Sequence, residues 1–363
     1  MNSSLSKKLT FLVPLKERRE FTLRFFRYLV KVNFPYKIFF ADGSKKRLSK
    51  NYMKILKNSK IDFTYRKFPY DSNFAKFQRK ILNSLSLINT KYVFTFSDDD
   101  FPLFDSIDKH VKFLEKNKSY VACGGYAINF DMLDKPFDKD ETFGHPINFK
   151  KIMTKYSNDK KNKISRFEYY LNNMENSVHY VFRKDILLRN YKLIYAKKIF
   201  FTNKSFYGFL RDGANSISGK VKKLNLLTFL HQYHFQSNIK SFLKHEQMVE
   251  KNSFIKDFKK FYNRISKTFF KTKKKKLKHI MFSNEFFFPK TKINSVLKKT
   301  KTKNFLISKL SKIKIILLFY SYFLNIRMHL QNEHIKKFMV SINDKKIKRE
   351  LSFIFKFLKT NQL

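Results

Sequence analysis

The chain reads as an α/β protein built on a largely parallel sheet, and three observations in its first hundred residues lead there. Short apolar runs at 9–14, 36–41, 61–65 and 92–96 read as strands, and the amphipathic stretches 17–28 and 73–87 read as helices. Three of the strands run into polar turns: Pro14-Leu15-Lys16-Glu17, Asp42-Gly43-Ser44 and Asp98-Asp99-Asp100. Ligands of open α/β sheets bind at the carboxyl ends of the strands, so these turns mark the candidate site.

Taken in order, the first strand is LTFLV, ended by Pro14; Phe21, Phe25 and Tyr28 then recur at helical spacing with basic residues between them. The second strand closes on Asp42-Gly43-Ser44, a turn signal, and the third covers 61–65. Residues 73–87 place Phe74, Phe77, Ile81 and Leu85 on one helix face. The run YVFTF then leads into the three aspartates and Phe101-Pro102. Further on, 105–117 reads as a helix and 121–126 as a strand whose Gly124 and Gly125 would let backbone approach a ligand. Residues 131–163, rich in Asp, Lys and Asn, read as an exposed excursion able to cover a site. A strand over 177–183, a helix starting at 184–188 and a helix over 206–217 ending near Gly219 complete the reading.

The 363 residues leave room for two domains, or for one large domain with an extension, and 43% hydrophobic content is ample for a core. A formal charge of +50 invites nucleic acid, an anionic membrane surface or a phosphorylated substrate as partner. The excess of Lys, Asn, Phe and Ile is also what AT-rich coding would produce, which discounts charge as evidence. A single cysteine, Cys123, excludes an internal disulfide framework or a Cys-rich zinc site. The amino-terminal apolar run is too short for a signal peptide, and no window approaches the ~18 apolar residues of a spanning helix. The expected location is therefore the cytoplasm, either in solution or at the inner face of the membrane. From 240 onward, 32 Lys and Arg stand against 7 Asp and Glu, with the run KTKKKKLK at 271–278. Apolar residues at helical spacing in 306–330 and 351–358 mark this part as a basic, helical and partly disordered extension (239–363), not a second catalytic domain.

Three adjacent carboxylates at a strand end repel one another and require a cation, either Lys or Arg or a hard divalent ion such as Mg²⁺ or Mn²⁺. Side chains alternate on extended backbone, so Asp98 and Asp100 would face one way and Asp99 another. Taken alone, such a triplet is more often a solvated turn or a helix cap than a metal site.

The ordered set (a strand ending in VP before a helix, a strand ending in ADGS, a strand ending in SDDDF) resembles the amino-terminal half of family 2 glycosyltransferases, which have the GT-A fold. The resemblance is closest to bacterial relatives that carry DDDF. It covers about residues 8–130 and continues more loosely through 166–187, Gly219-Lys220 and HQYHFQSN at 231–238. It implies a GT-A Rossmann-like mixed sheet over 1–238, with 1–130 as the nucleotide-sugar half and 131–238 as the acceptor half. It also implies a metal-dependent transfer of sugar from a UDP- or GDP-sugar to a glycan or lipid-linked acceptor in surface polysaccharide assembly. Asp98 and Asp100 fall on the D-x-D positions and His234 on the place of a completing metal ligand, with His231 nearby. Asp42 falls where relatives contact the nucleotide base, although an Asp before Gly-Ser also caps turns. Pro14, Leu15, Glu17 and Asp99 would line the donor pocket. One of Lys76, Arg79 and Lys80, with Lys80 in first place, would reach a phosphate, against the alternative of solvated helix charges. Asp212 takes the place of the base and would give inversion by single displacement; Gly208 stands where relatives often have a second acid, and Asp212-Gly213 also reads as a helix-ending turn.

Two other functions remain open from the residues. A nucleic-acid binder explains the charge but not the acidic strand ends. A degenerate GT-A protein that binds sugars without turnover fits the glycine at 208. The sequence contains no Walker A loop, dinucleotide fingerprint or nucleophile elbow.

Overall fold

The computed structural model describes residues 5, 7–132, 142–144, 147–153, 156–174, 177–195, 199–234, 253–272, 274–284, 287, 330–339 and 341–360. Its strands are β1 (Leu9–Leu15), β2 (Lys37–Asp42), β3 (Phe63–Lys67), β4 (Tyr92–Thr95), β5 (Phe101–Pro102), β6 (Tyr120–Asp131), β7 (Asn148–Met153), β8 (Val181–Arg183) and β9 (Lys220–Gln232). They join one sheet in the order β3-β2-β1-β4-β8-β6-β9-β5, with β7 paired to β6. β3, β2, β1 and β4 are parallel. Beyond β4 the sheet is mixed: β8 runs antiparallel to both β4 and β6, and β6 and β9 are parallel. The α/β class, the mixed sheet and the helical carboxyl-terminal part are as expected.

Helices α1 (Arg19–Lys31), α2 (Lys50–Lys57) and α3 (Phe74–Leu87) connect β1 through β4. β2 and β3 lie on one side of β1 and β4 on the other, so strand order reverses between β1 and β4. A crevice opens at such a reversal, beyond the carboxyl ends of the strands. Strand alternation divides the interior in two. Leu9, Phe11, Val13 and Leu15 of β1 face a core shared with α1, α2 and α4 (Phe104–Lys116). Leu12 faces a second core with α3, α5 (Lys163–Asn173), α6 (Lys184–Tyr195) and α7 (Ser205–Ser218). Three helix starts follow the sequence chemistry: Ser49, Asn73 and Asn162 each accept a backbone N–H of the first turn.

Several elements differ from expectation. α2 was not foreseen, although Tyr52, Met53, Ile55 and Leu56 recur in it at helical spacing; it is only eight residues long, and Leu56 alone is fully buried. β9 was not foreseen either. Its first half, KVKKLNLL, is largely half-exposed and reads as polar, yet it pairs with β6 over most of its length. Gly124 and Gly125 serve packing: a Cβ on Gly124 would meet the Tyr180 ring at 2.2 Å, and one on Gly125 would meet the Leu226 carbonyl at 2.2 Å. Within 131–163, β7 pairs with β6, so that part of the excursion belongs to the sheet; residues 133–141 lie outside the described set.

The basic carboxyl-terminal part contributes to both cores. α8 (Phe254–Phe269) and α9 (Lys274–Phe282) supply Phe254, Phe258, Phe261, Ile265, Leu277 and Met281 to the second core. α10 (Lys345–Thr360) supplies Ile347, Leu351, Ile354, Phe357 and Leu358 to the first. Of the stretch 306–330 only Leu330 is described, and the expectation of partial disorder falls largely on residues outside the described set. The Phe357 ring sits 5.5 Å from Tyr28 and 6.3 Å from Phe101, next to the aspartate triplet. Glu350 closes the start of α4, its carboxylate accepting the N–H groups of Phe104 (2.8 Å) and Asp105 (3.2 Å).

Burial raises the Glu350 pKa to about 7, with Asp105 and Asp344 adding to the shift against the two N–H bonds. A folded-state value above the ordinary one means that the fold favours neutral Glu350. That contribution is complete below the unfolded value and is lost as pH rises through about 7. The melting temperature of the wild type minus that of Glu350→Gln should therefore decrease between about pH 5 and about pH 8. Thermal melts of both proteins check this, and a difference that stays constant or grows with pH contradicts it.

Candidate functional site

Beyond β4 the backbone keeps one further bond, from Phe96 N–H to the Leu12 carbonyl (2.9 Å), and then turns at Asp98-Asp99. Asp98, Asp99 and Asp100 are all buried, and buried anions need partners. Arg18 supplies the main one. Its two terminal nitrogens fork onto Asp98 Oδ1 and Asp99 Oδ2, the planar arrangement for which a guanidinium is suited. The Thr22 hydroxyl donates to Asp98 Oδ2 (2.6 Å). His234 Nε2 lies 2.6 Å from Asp99 Oδ2 and 3.1 Å from Arg18 Nη1. Asp100 Oδ1 takes His231 Nδ1 at 2.7 Å and the Gln232 N–H at 3.2 Å. Strand alternation predicted that Asp98 and Asp100 would share a side. The turn instead puts Asp98 and Asp99 on one guanidinium and sends Asp100 to the end of β9.

Arg18 reaches the triplet because the chain bends sharply after β1. Glu17 adopts φ 57°, a left-handed conformation that costs a side-chain-bearing residue on the order of 1–2 kcal/mol. The Asp42-Gly43-Ser44 turn holds that bend: Glu17 N–H donates to Ser44 Oγ (2.9 Å), and Lys45 N–H donates to Glu17 Oε1 (2.5 Å). Arg24, one turn along α1 and fully buried, braces the aspartates from behind. It donates to the Asp99 carbonyl (3.0 Å), to Gln232 Oε1 (2.6 Å) and to the Thr142 carbonyl (3.1 Å), and it lies between the Phe21 and Phe101 rings. Burial lowers the Arg24 pKa to about 10, which leaves it charged at neutral pH.

Burial raises the pKa of Asp98 against the pull of Arg18, and that of Asp100 against the pull of His231. Asp99 suffers the same burial, but Arg18 and then His234 outweigh it and hold its pKa below the ordinary range. Two oxygens, Asp99 Oδ1 and Asp100 Oδ2, are buried without a hydrogen-bond partner. Such atoms suit a hard divalent cation, and carboxylates with imidazoles form a suitable donor set. The arrangement does not yet form a cage: among the described residues no three His, Cys, Asp or Glu side chains converge as a bound metal would require. Arg18 occupies the inner oxygens of Asp98 and Asp99.

The other expected residues fall in two places. Pro14, Leu15, Glu17 and Asp42 stand at the same sheet edge as the triplet. Asp42 is buried as a turn cap, with Oδ1 accepting Ser44 N–H (2.8 Å) and Oδ2 accepting the Tyr65 hydroxyl. The Leu15 carbonyl accepts Gly43 N–H (2.9 Å) and Lys80 Nζ (3.1 Å). Lys80 is buried and ion-paired with Asp71 at 2.6 Å, so its charge is already matched. Asp71 in turn sits against Gly43, where an added Cβ would meet its carboxylate at 2.2 Å, so only glycine fits that turn. Asp212 lies in the second core, bonded to Arg211 (2.7 and 3.0 Å) and to the Ser177 hydroxyl (2.8 Å) and N–H (3.3 Å). It has no hydrogen bond or ion pair to the triplet.

Arg18, Thr22, Arg24 and Asp71 were not singled out from the sequence. For Arg24 a signal existed: it lies at helical spacing from Phe21 and Tyr28, a basic residue on the apolar face of α1. For Arg18 there was none, because its role depends on the bend at Glu17.

No protein-family model and no curated protein matches the sequence. Among solved structures, S. aureus TarS 1-349 aligns at 11% identity and a TM-score of 0.45, over 78% of this chain and 73% of that one. TarS 1-349 in complex with UDP-GlcNAc aligns at 13% and 0.48, over 78% and 74%. The complex of TarS 1-349 with UDP aligns at 13% and 0.41, over 78% and 73%. Likeness at this level does not bear on chemistry, so the functional reading rests on the site itself.

Asp212→Asn should lower stability by about 3 kcal/mol or more, because it leaves the buried Arg211 charge uncompensated. Urea unfolding measures this. Unchanged stability would show that the Arg211–Asp212 pair is not structural and that the carboxylate is free for other work.

Proposed function

We propose that the protein is a glycosyltransferase that moves a sugar from a nucleotide-sugar donor to a glycan or lipid-linked acceptor in surface polysaccharide assembly. The observation that carries this reading is the aspartate turn. Three buried carboxylates stand at the strand-order reversal, two of their oxygens lack partners, and a forked arginine lies beside them. Acidic strand ends in a chain of charge +50 suit a phosphate-bearing ligand that is recognised through a cation. It does not suit a polyanion that binds by charge alone.

On this reading the donor lies along the carboxyl ends of β1, β2 and β4. The rigid Asp42-Gly43-Ser44 turn forms the floor for the nucleoside, and exposed Lys45, 5.5 Å from the centre of the Tyr70 ring, offers charge at the rim. Asp99 and Asp100, whose Oδ1 and Oδ2 atoms lack partners, would be the first carboxylates to hold a divalent cation, Mn²⁺ or Mg²⁺, with Asp98 and His234 beside them; when bound it would neutralise the diphosphate leaving group. Arg24 and Gln232 fix the turn so that the carboxylates keep their directions. Asp212 is the candidate base for an inverting transfer, acting only if it exchanges Arg211 for the acceptor. That engaged carboxylate favours a second reading, in which the protein binds nucleotide-sugars without turnover. Among the described residues no helix is long and apolar enough to cross a membrane. The lysines at the start of α9 would instead give peripheral contact with an anionic surface, each contributing about 1 kcal/mol.

Calorimetric titration with UDP, UDP-GlcNAc, GDP and dTDP, with and without Mn²⁺, tests the proposal. One nucleotide should bind selectively, and Asp100→Asn should weaken it by about tenfold or more, the scale of losing one charged contact. Release of nucleotide from the sugar donor then separates transfer from binding without turnover. Equal, salt-sensitive binding of all four nucleotides, unaffected by the substitution, would overturn the reading.

A further inference from the structure

We propose that the groove between the helical residues 330–339 and α10 is a seat for an anionic phospholipid at a membrane surface. The inference goes beyond the donor-site reading and does not depend on it.

The groove follows from how α10 divides its faces. Ile347, Leu351, Ile354, Phe357 and Leu358 recur at helical spacing and are buried in the first core. Lys348, Ser352, Phe355, Lys356 and Lys359 recur along the neighbouring flank, which meets Lys336 and Met339 across an open groove of about 740 Å³. Met339, Leu351 and Phe355 give it an apolar floor, and the Phe355 ring is anchored 5.7 Å from Phe149 of β7. Four exposed lysines, Lys336, Lys348, Lys356 and Lys359, surround that floor. Among the described residues only Lys336 of the four has an ion pair, a surface one with Glu333 at 2.8 Å. The nearby acids of this region are turned to other work: Glu350 closes the start of α4, and Asp344 pairs with Lys109 at 2.6 Å.

An occupant must therefore bring negative charge and an apolar body together. The chain's own residues 288–329 do not, with ten Lys and Arg and no Asp or Glu among them. A second copy docking groove to groove would set lysine against lysine. A nucleic acid offers charge but no aliphatic chain for Met339, Leu351 and Phe355. A stable protein partner needs about 20–30 residues a side, whereas nine residues line the groove. A phospholipid supplies both parts: its phosphate meets the ammonium groups, and its acyl chain lies on the floor beside the lysine stems. The opposite side of the same helix packs Phe357 against Phe101, so a seated lipid holds the membrane at the helix that backs the aspartate turn.

The chain has no Trp, so Ser352→Trp puts a single fluorescent reporter in the groove. Vesicles of phosphatidylcholine with phosphatidylglycerol should shift its emission to shorter wavelength, and lipids brominated on the acyl chain should quench it. Phosphatidylcholine alone should do neither. In the full chain without the reporter, affinity for the anionic vesicles in co-sedimentation should fall at least about tenfold when Lys348→Gln, Lys356→Gln and Lys359→Gln are combined. Lys274→Gln, Lys275→Gln and Lys278→Gln of α9 remove the same charge and should cost far less. Equal losses in the two triple variants would reduce the effect to net charge and overturn the proposal, as would a reporter indifferent to anionic vesicles. A shift produced by inorganic phosphate alone would assign the groove to a free anion. A shift produced by polyglutamate and not by vesicles would assign it to an acidic protein. Either result overturns the lipid seat. Nucleotide titration of the α10 triple variant keeps the two readings apart: binding as in wild type, with vesicle binding lost, is the expected pattern. Absence of vesicle binding in a wild type that still binds nucleotide removes the lipid seat alone.

Discussion

Three carboxylates buried side by side would not be tolerated without compensation, and the arrangement that compensates them shapes this end of the molecule. Arg18 holds Asp98 and Asp99, His234 adds to Asp99, and His231 with the Gln232 N–H takes Asp100. These partners come from the end of β1, from α1 and from the end of β9, far apart in sequence and brought together by the sheet. Coulomb repulsion within the triplet is thus converted into a tie between the parallel and mixed halves of the sheet. The compensation is incomplete, and the two unpartnered oxygens are where a ligand's cation has something to gain.

The rest of the fold supports this tie. Strand order reverses between β1 and β4, beside the aspartates, and the Asp42-Gly43-Ser44 turn fixes the bend that aims Arg18. Arg24 secures the backbone of the aspartate turn from below. α10 returns from the far carboxyl end of the chain to pack Phe357 near Tyr28 and Phe101 and to close the start of α4 with Glu350. A region whose composition suggests a solvated basic tail is, in α8, α9 and α10, part of both cores. Their lysines are mostly exposed, while Phe254, Phe258, Phe261, Ile265, Leu277, Leu351, Ile354 and Phe357 are buried.

What could be read from the sequence was local. β1, β2 and β4 are short, apolar and bounded by Pro14, Asp42-Gly43-Ser44 and the aspartates, so composition alone located them and the site between them. β9 escaped because its lysines alternate with apolar residues on a half-exposed strand, and α2 escaped because its repeat of Tyr52, Met53, Ile55 and Leu56 spans only eight residues. Within the site, the acidic members were legible because carboxylates at strand ends are conspicuous. Their basic partners were not, since in a chain with 78 Lys and Arg no single arginine stands out. Lys80 and Asp212 show the converse. Both had plausible positions in the sequence, and both turn out to be buried in ion pairs of their own, with Asp71 and with Arg211.

The central claim, that the aspartate turn receives a nucleotide diphosphate, is tested most directly by a crystal structure of the protein grown with Mn²⁺ and the nucleotide-sugar it binds. The account predicts a diphosphate over the aspartate turn, at the carboxyl ends of β1 and β4. Nucleotide bound elsewhere, away from Asp98, Asp99 and Asp100, would contradict it.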